Sequence, residues 1–158
     1  MFKVFLTYLI LIIFPTKGFS ELRIDITRGN TEPIPVALVK FETKNGAENK
    51  ISLDIKKVIS NNLQRSGLFT MLPKTVFLTE TLNFDAKPSF SDWKITTAQG
   101  LIHGNLSVSG EKLNLKFRLW DVFSEKQMVA QQLTTETNNW RRIAHVISDI
   151  IYKRITGE

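Results

Sequence analysis

Histidine is the side chain best suited to acid–base chemistry near neutral pH, and the sequence contains two, His103 and His145. His103 falls on the polar side of a predicted strand, and His145 lies beside the apolar stripe of a predicted helix. No pattern brings them together, and no G-x-S-x-G motif surrounds a serine that either could activate. We therefore interpret both as surface or boundary residues rather than as catalytic residues.

Metal and phosphate chemistry have no better candidates. The sequence contains no Cys, which excludes thiolate metal sites, catalytic thiols and disulfides. Asn83 and Asp85 lack a third oxygen ligand nearby, so we interpret them as turn residues. Zinc-binding, calcium-binding and phosphate-binding motifs are absent from the sequence. We predict no cofactor and no small-molecule substrate.

One predicted strand carries a row of basic and aromatic side chains. Lys116, Arg118 and Trp120 alternate with apolar neighbours and therefore share one face of that strand. Because Trp and Arg are enriched in protein interfaces, these three residues form a candidate partner-binding surface. The alternative is a solvated strand face on which Trp120 lies under a covering loop. No aromatic pair of the RNA-binding type accompanies the row, so no nucleic-acid partner is predicted.

Periodicity predicts the strands that position these residues. Alternating apolar and polar residues indicate a meander of three strands at 101–109, 112–122 and 127–136. Apolar runs indicate strands at 36–41 and 68–72, and residues 22–27 alternate like a short edge strand. Residues 74–92 show no period and are predicted to be irregular, with a short helix near Ser91.

Two longer helices are predicted from apolar residues that recur every three or four positions. The first begins near Ser52 and ends at Gly67, and the second extends from Asn139 to Gly157. Two amphipathic helices require an apolar sheet face to cover them. We therefore predict an α+β fold in which a mixed β-sheet is covered on one face by two α-helices.

The composition is that of one globular domain, with 158 residues, 42% apolar and 23% charged. Residues 1–20 combine Lys3, an apolar run and small residues at Gly18 and Ser20, which is typical of a signal peptide cleaved after Ser20. Removal of this segment lowers the formal net charge from +6 to +4, because it contains two lysines and no acidic residue. We therefore expect export and a moderately basic surface.

Several segments together resemble the TolB family, periplasmic components of the Tol–Pal envelope system. They are ELRIDITRG at 21–29, PIPVALVKF at 33–41, LQRSGLF at 63–69, GLIHGNLSV at 100–108, LWDV at 119–122 and the terminal segment 140–158. In this order and spacing they cover most of the sequence after residue 20.

The resemblance implies an amino-terminal α/β domain at 21–158 and a role that is not enzymatic. TolB-like proteins connect inner-membrane TolA with Pal, the peptidoglycan-associated lipoprotein. Their system maintains outer-membrane integrity, supports cell division and is exploited by bacteriocins for import. The TolA-contacting segment of the family corresponds here to Glu21, Leu22, Arg23, Ile24, Asp25 and Ile26.

In the family, a β-propeller carries the contacts with Pal. This sequence contains no propeller repeat. A fragment, a shortened reading frame and a free-standing module therefore remain open, and binding to Pal is not expected from this segment. The leading hypothesis is a TolA-contacting module. The alternatives are an inert remnant and a periplasmic accessory factor that binds another envelope protein.

Overall fold

The computed structural model describes residues 22–23 and 32–157. The predicted signal peptide and most of the predicted strand at 22–27 lie outside these residues, and Leu22 and Arg23 are not part of a strand. Within the described part of the chain, no helix is long and apolar enough to cross a membrane.

A five-stranded mixed sheet forms the centre of the domain. Its strands are β1 (Ile34–Leu38), β2 (Phe69–Met71), β3 (Gly100–Ser109), β4 (Lys112–Asp121) and β5 (Lys126–Glu136). They lie in the order β2-β1-β3-β4-β5. β1 is parallel to both of its neighbours, whereas β3, β4 and β5 form an antiparallel meander. The meander predicted from alternation is confirmed.

Two long helices lie on one face of this sheet. α1 (Gly46–Arg65) connects the parallel strands β1 and β2, and α3 (Trp140–Thr156) follows β5. Their apolar residues, such as Ile55, Ile59 and Ile147, share one buried cluster with Leu106 and Phe117 of the sheet. This confirms the predicted α+β fold, because the stripe of each helix is buried against the apolar side of the strands.

The start of α1 corrects the sequence prediction. The helix begins at Gly46, where the Asn45 side chain accepts a hydrogen bond from Glu48 N at 2.9 Å. The prediction that Ser52 caps it was wrong, since Ser52 is fully buried and its hydroxyl donates to Phe41 O at 3.2 Å. Asn is common in turns and is also among the strongest helix caps, so the sequence alone does not decide which role Asn45 takes.

The opposite face of the sheet is covered by an irregular segment. After a 3-10 turn at Lys74–Val76, this segment leads into the six-residue helix α2 (Phe90–Ile95). Phe90 and Trp93 of α2 pack in a second buried cluster with Leu101, Trp120 and Val122 of the sheet. The sequence had predicted an irregular segment here but not that it would cover a sheet face.

Candidate protein-interaction site

The amino-terminal segment proposed to contact a partner meets the domain at Asp121. Of this segment the structure describes Leu22 and Arg23. Leu22 N donates to Asp121 Oδ2 at 2.8 Å. Asp121 is 3% exposed, and its Oδ1 accepts hydrogen bonds from Phe123 N and Ser124 N, each at 3.0 Å. One buried carboxylate therefore holds both the β4–β5 turn and the first described residue of the chain.

Two further contacts fix this attachment. The Leu22 side chain packs against the cluster under α1 and α3. Arg23 lies beside Gly157, the left-handed residue that ends α3, so closely that a Cβ there would meet Arg23 Nη2 at 2.6 Å. A guanidinium at this position complements the partial negative charge of a helix carboxyl end. Glu21, Ile24, Asp25 and Ile26 lie outside the described residues.

His103 occupies the centre of the opposite sheet face, and its interpretation as a surface or boundary residue was wrong. Its side chain is 0% exposed. Its Nε2 accepts a hydrogen bond from Trp120 Nε1 at 3.0 Å, which places the imidazole proton on Nδ1. Burial, with a smaller effect of the Arg118 charge, lowers the pKa of His103 to about 4. The ring is therefore neutral at neutral pH.

His145 lies on the other side of the sheet and remains at the surface, as predicted. It is exposed on α3, and its Nδ1 lies 2.9 Å from Asn62 Nδ2 of α1. The structure therefore separates the two histidines by the full thickness of the sheet.

The candidate surface of Lys116, Arg118 and Trp120 is divided by the covering segment. The shared face is confirmed by the β3–β4 register, but Trp120 is only 7% exposed because the Phe90 ring packs edge-on against it at 5.5 Å. Little of the Trp120 surface is therefore accessible to a partner. Its position agrees with the alternative interpretation, in which Trp120 lies on the sheet face under a covering loop. Lys116 is exposed and Arg118 partly buried.

Phe84 is a member of this surface that the sequence did not single out. The Arg118 guanidinium lies over the Phe84 ring at 4.5 Å, and Lys116 Nζ lies 6.0 Å from the same ring. The Phe84 backbone N donates to Glu42 Oε2 at 3.3 Å. Phe84 lies in a stretch without periodicity, so no sequence signal could have placed it here.

The turn around Asn83 follows the sequence prediction. Asp85 N donates to Asn83 Oδ1 at 2.9 Å, which is an Asx turn. Across the residues that the structure describes, no three acidic or histidine side chains cluster in a way that could hold a metal ion.

Comparison with known families gives a consistent result. A model of the family described as the TolB amino-terminal domain matches residues 22–128. The Tol-Pal system protein TolB of Pelagibacter ubique (strain HTCC1062) is 41% identical over 160 residues. That alignment covers 96% of this chain but 36% of the relative, so the chain spans little more than a third of that relative's length.

Solved structures share the fold. TolB from Acinetobacter baumannii superimposes with a TM-score of 0.65 at 22% identity, covering 80% of this chain and 29% of that one. A PelC dodecamer from Paraburkholderia phytofirmans gives 0.53 at 10% identity, covering 87% and 94%. The LpoB C-terminal domain from Salmonella enterica gives 0.51 at 13% identity, covering 70% and 87%. At these identities the likeness concerns the fold alone.

Proposed function

Because the chain belongs to the TolB amino-terminal domain family, we propose that it is a protein-interaction module of the Tol–Pal envelope system that acts in the periplasm without catalysing a reaction. The observation that carries this proposal is the match to the TolB relative along 96% of the chain. Through that system the module supports outer-membrane integrity and cell division, and bacteriocins use it for import. The predicted signal peptide at 1–20, cleaved after Ser20, accounts for its export.

The proposed partner is the inner-membrane protein TolA, and the proposed contact is the segment 21–26. In this segment Leu22, Ile24 and Ile26 alternate with polar residues, a pattern suited to strand addition at the edge of a partner's sheet. The anchors at Asp121 and Gly157 support the proposal, because they place Leu22 and Arg23, the described part of the segment, at the surface of the domain. Docking that includes the Leu22 backbone must replace its hydrogen bond to Asp121, whereas docking that starts at Ile24 leaves that bond intact.

The test is the affinity of the chain from residue 21 onward for the periplasmic carboxy-terminal domain of TolA, measured by isothermal titration calorimetry. Ile24→Asp places a charge on the apolar side of the docking segment and should weaken binding by about tenfold or more. Leu78→Asp is the matched control, because Leu78 is 73% exposed and distant in sequence. It should bind like the original chain.

Unchanged affinity of Ile24→Asp in a folded sample would refute docking through this segment. In that case Arg118→Glu would test the surface around Phe84, the second candidate interface. A folded chain that does not bind the TolA domain would favour the inert remnant or the accessory factor.

A further inference from the structure

The outer edge of β5 is available for pairing in the part of the chain that the structure describes. β5 ends the strand order and pairs with β4 alone. It is 11 residues long, and between its terminal Lys126 and Glu136 it contains no charged residue, proline or glycine. A long uncharged edge strand is a template for another strand, and proteins normally shorten such edges or place charges on them.

One end of this edge is already blocked. The β4–β5 register shifts between Leu119 and Trp120, which leaves Met128 as an extra residue in β5. Arg154 Nε of α3 donates to Met128 O at 3.1 Å. From Val129 to Glu136 the pairing with β4 runs without a further shift, so eight residues of regular edge follow the bulge.

A groove lies beside this edge, between the exposed parts of β5 and α3. Its volume is about 500 Å³, and it is lined by residues 128–131 of β5 and by Ile150, Lys153 and Arg154 of α3. Val129 and Leu133 are half-buried on the same side of the strand. The groove therefore offers apolar contacts along its floor and positive charge at its rim.

The charge of this region favours an acidic occupant. On β5 and α3 together there are five basic residues and two acidic ones: Lys126, Arg141, Arg142, Lys153 and Arg154 against Glu136 and Asp149. Antiparallel pairing of β5 with a second copy would bring two such basic helices to the same side of one sheet. Like charges at that seam oppose self-association.

We propose that the β5 edge and the α3 rim bind an extended acidic segment of a partner protein by strand addition. Backbone hydrogen bonds to residues 129–136 supply affinity, and carboxylates that reach Lys153 select the sequence. Its test uses peptides and no TolA, so the result does not depend on TolA binding.

The probe is a synthetic eight-residue peptide of valine and threonine with two glutamates at alternating positions. Its affinity for the chain is measured by fluorescence anisotropy, together with a peptide that carries lysine in place of both glutamates. The glutamate peptide should bind at least about tenfold more tightly, since rim charges discriminate between partners of opposite sign. A third peptide, N-methylated at alternate residues so that one backbone edge cannot donate, should lose binding while keeping its side chains.

A charge exchange locates the site. Lys153→Glu should weaken binding of the glutamate peptide by about fivefold and strengthen binding of the lysine peptide. Lys57→Glu is the control, because Lys57 is exposed on α1. Equal binding of the methylated peptide would overturn strand addition, and equal effects of Lys153→Glu and Lys57→Glu would overturn the location. Concentration-dependent dimers in sedimentation, without peptide binding, would identify a second copy as the occupant and contradict the proposal.

Discussion

The face of the sheet under α1 and α3 is packed with aliphatic and aromatic residues from regular elements, whereas the opposite face is covered by an irregular segment and buries a histidine. On the helical face, Leu106, Leu115 and Phe117 are fully buried among isoleucines of the two helices. On the opposite face, His103 and Trp120 form a buried hydrogen bond beneath Phe84 and Phe90. The first face depends mainly on close packing, and the second also depends on the protonation state of His103.

The two faces should therefore lose stability under different conditions. Packing defects on the helical face act at every pH, because they change contact and volume. A buried neutral imidazole adds a free-energy term that changes with pH. The helical face also buries the carboxylate of Glu48, and its pH-dependent contribution should be the smaller one.

The largest loss of stability is expected on substitution of Gly104, which lies on the helical side of β3. A Cβ at this position would clash with the Lys116 carbonyl oxygen and lie 2.7 Å from Phe41 Cδ1. Gly104→Ala should therefore lower the free energy of unfolding by more than about 3 kcal/mol, since backbone on the neighbouring strand cannot move aside cheaply. Urea denaturation measures this loss.

Gly46→Ala is the matched control for that substitution. A Cβ at Gly46 meets no atom within 4 Å, and the residue starts α1. Its free energy of unfolding should stay equal or rise by up to about 1 kcal/mol, because Ala favours helix over Gly. Similar losses for both alanines would show that β3 and β4 do not approach as described.

The second largest effect is expected at His103, on the opposite face, which should make the free energy of unfolding depend on pH. Its pKa is lowered from 6.5 to about 4, so on acidification the unfolded chain binds the proton first and stability falls as the pH drops from about 6.5 towards 4. Between pH 7 and pH 5 this group should cost about 2 kcal/mol of unfolding free energy. His103→Gln should remove that part of the slope in denaturation curves.

His145→Gln is the control for the histidine experiment, because His145 is exposed on α3. It should retain the full pH dependence between pH 7 and pH 5. If His103→Gln keeps the same slope as His145→Gln, the imidazole does not titrate as a buried neutral group.

A smaller effect is expected at Glu48, which ties α1 to β3. Its carboxylate accepts hydrogen bonds from Val108 N and Lys44 N, each at 2.8 Å, and the bond from Val108 is the main cause that lowers the pKa of Glu48 below 4.5. Glu48→Gln should cost about 1.5 kcal/mol at pH 7, because each N–H donates to a different carboxylate oxygen and Gln replaces one of those oxygens with an NH2 group that cannot accept.

The difference between Glu48→Gln and the original chain should shrink at low pH. Because the folded-state pKa is lowered, the contribution of the carboxylate is present above pH 4.5 and is lost as the pH falls through the folded value. Denaturation at a series of pH values from 7 down to 3 follows this loss. A constant difference would contradict the role of the charged carboxylate.

The smallest effect is expected at Thr97, between α2 and β3. This β-branched residue has a φ of +63°, a left-handed conformation that glycine adopts without strain. Thr97→Gly should raise the free energy of unfolding by about 1 kcal/mol, measured by thermal denaturation. Thr97→Ala should fall between the two, and a loss of stability on Thr97→Gly would indicate that no strain is stored there.

The helical face could be predicted from the sequence because its residues repeat with regular periods. Leu113, Leu115 and Phe117 alternate along β4, and Ile143, Ile147 and Ile151 recur at helical spacing. The start of α1 was missed because Asn45 is both a turn residue and a helix cap, and only tertiary contacts decide between the two.

The opposite face could be predicted only in part. Alternation placed His103 and Trp120 on it, but their burial depends on Phe84 and Phe90, which lie in a segment without a period. Likewise, Asp121 belongs to the LWDV segment, but no pattern in the sequence indicates that it binds Leu22 N, 99 residues away in sequence. Long-range contacts between polar groups leave no periodic signal.

The central claim, docking through the amino-terminal segment, is tested most directly by NMR of the ¹⁵N-labelled chain titrated with the periplasmic carboxy-terminal domain of TolA. We predict that the amide resonances of residues 21–26 shift or broaden first, followed by neighbours of the anchors at Asp121 and Gly157. Saturating TolA that perturbs other amides while those of residues 21–26 stay unchanged would contradict the account.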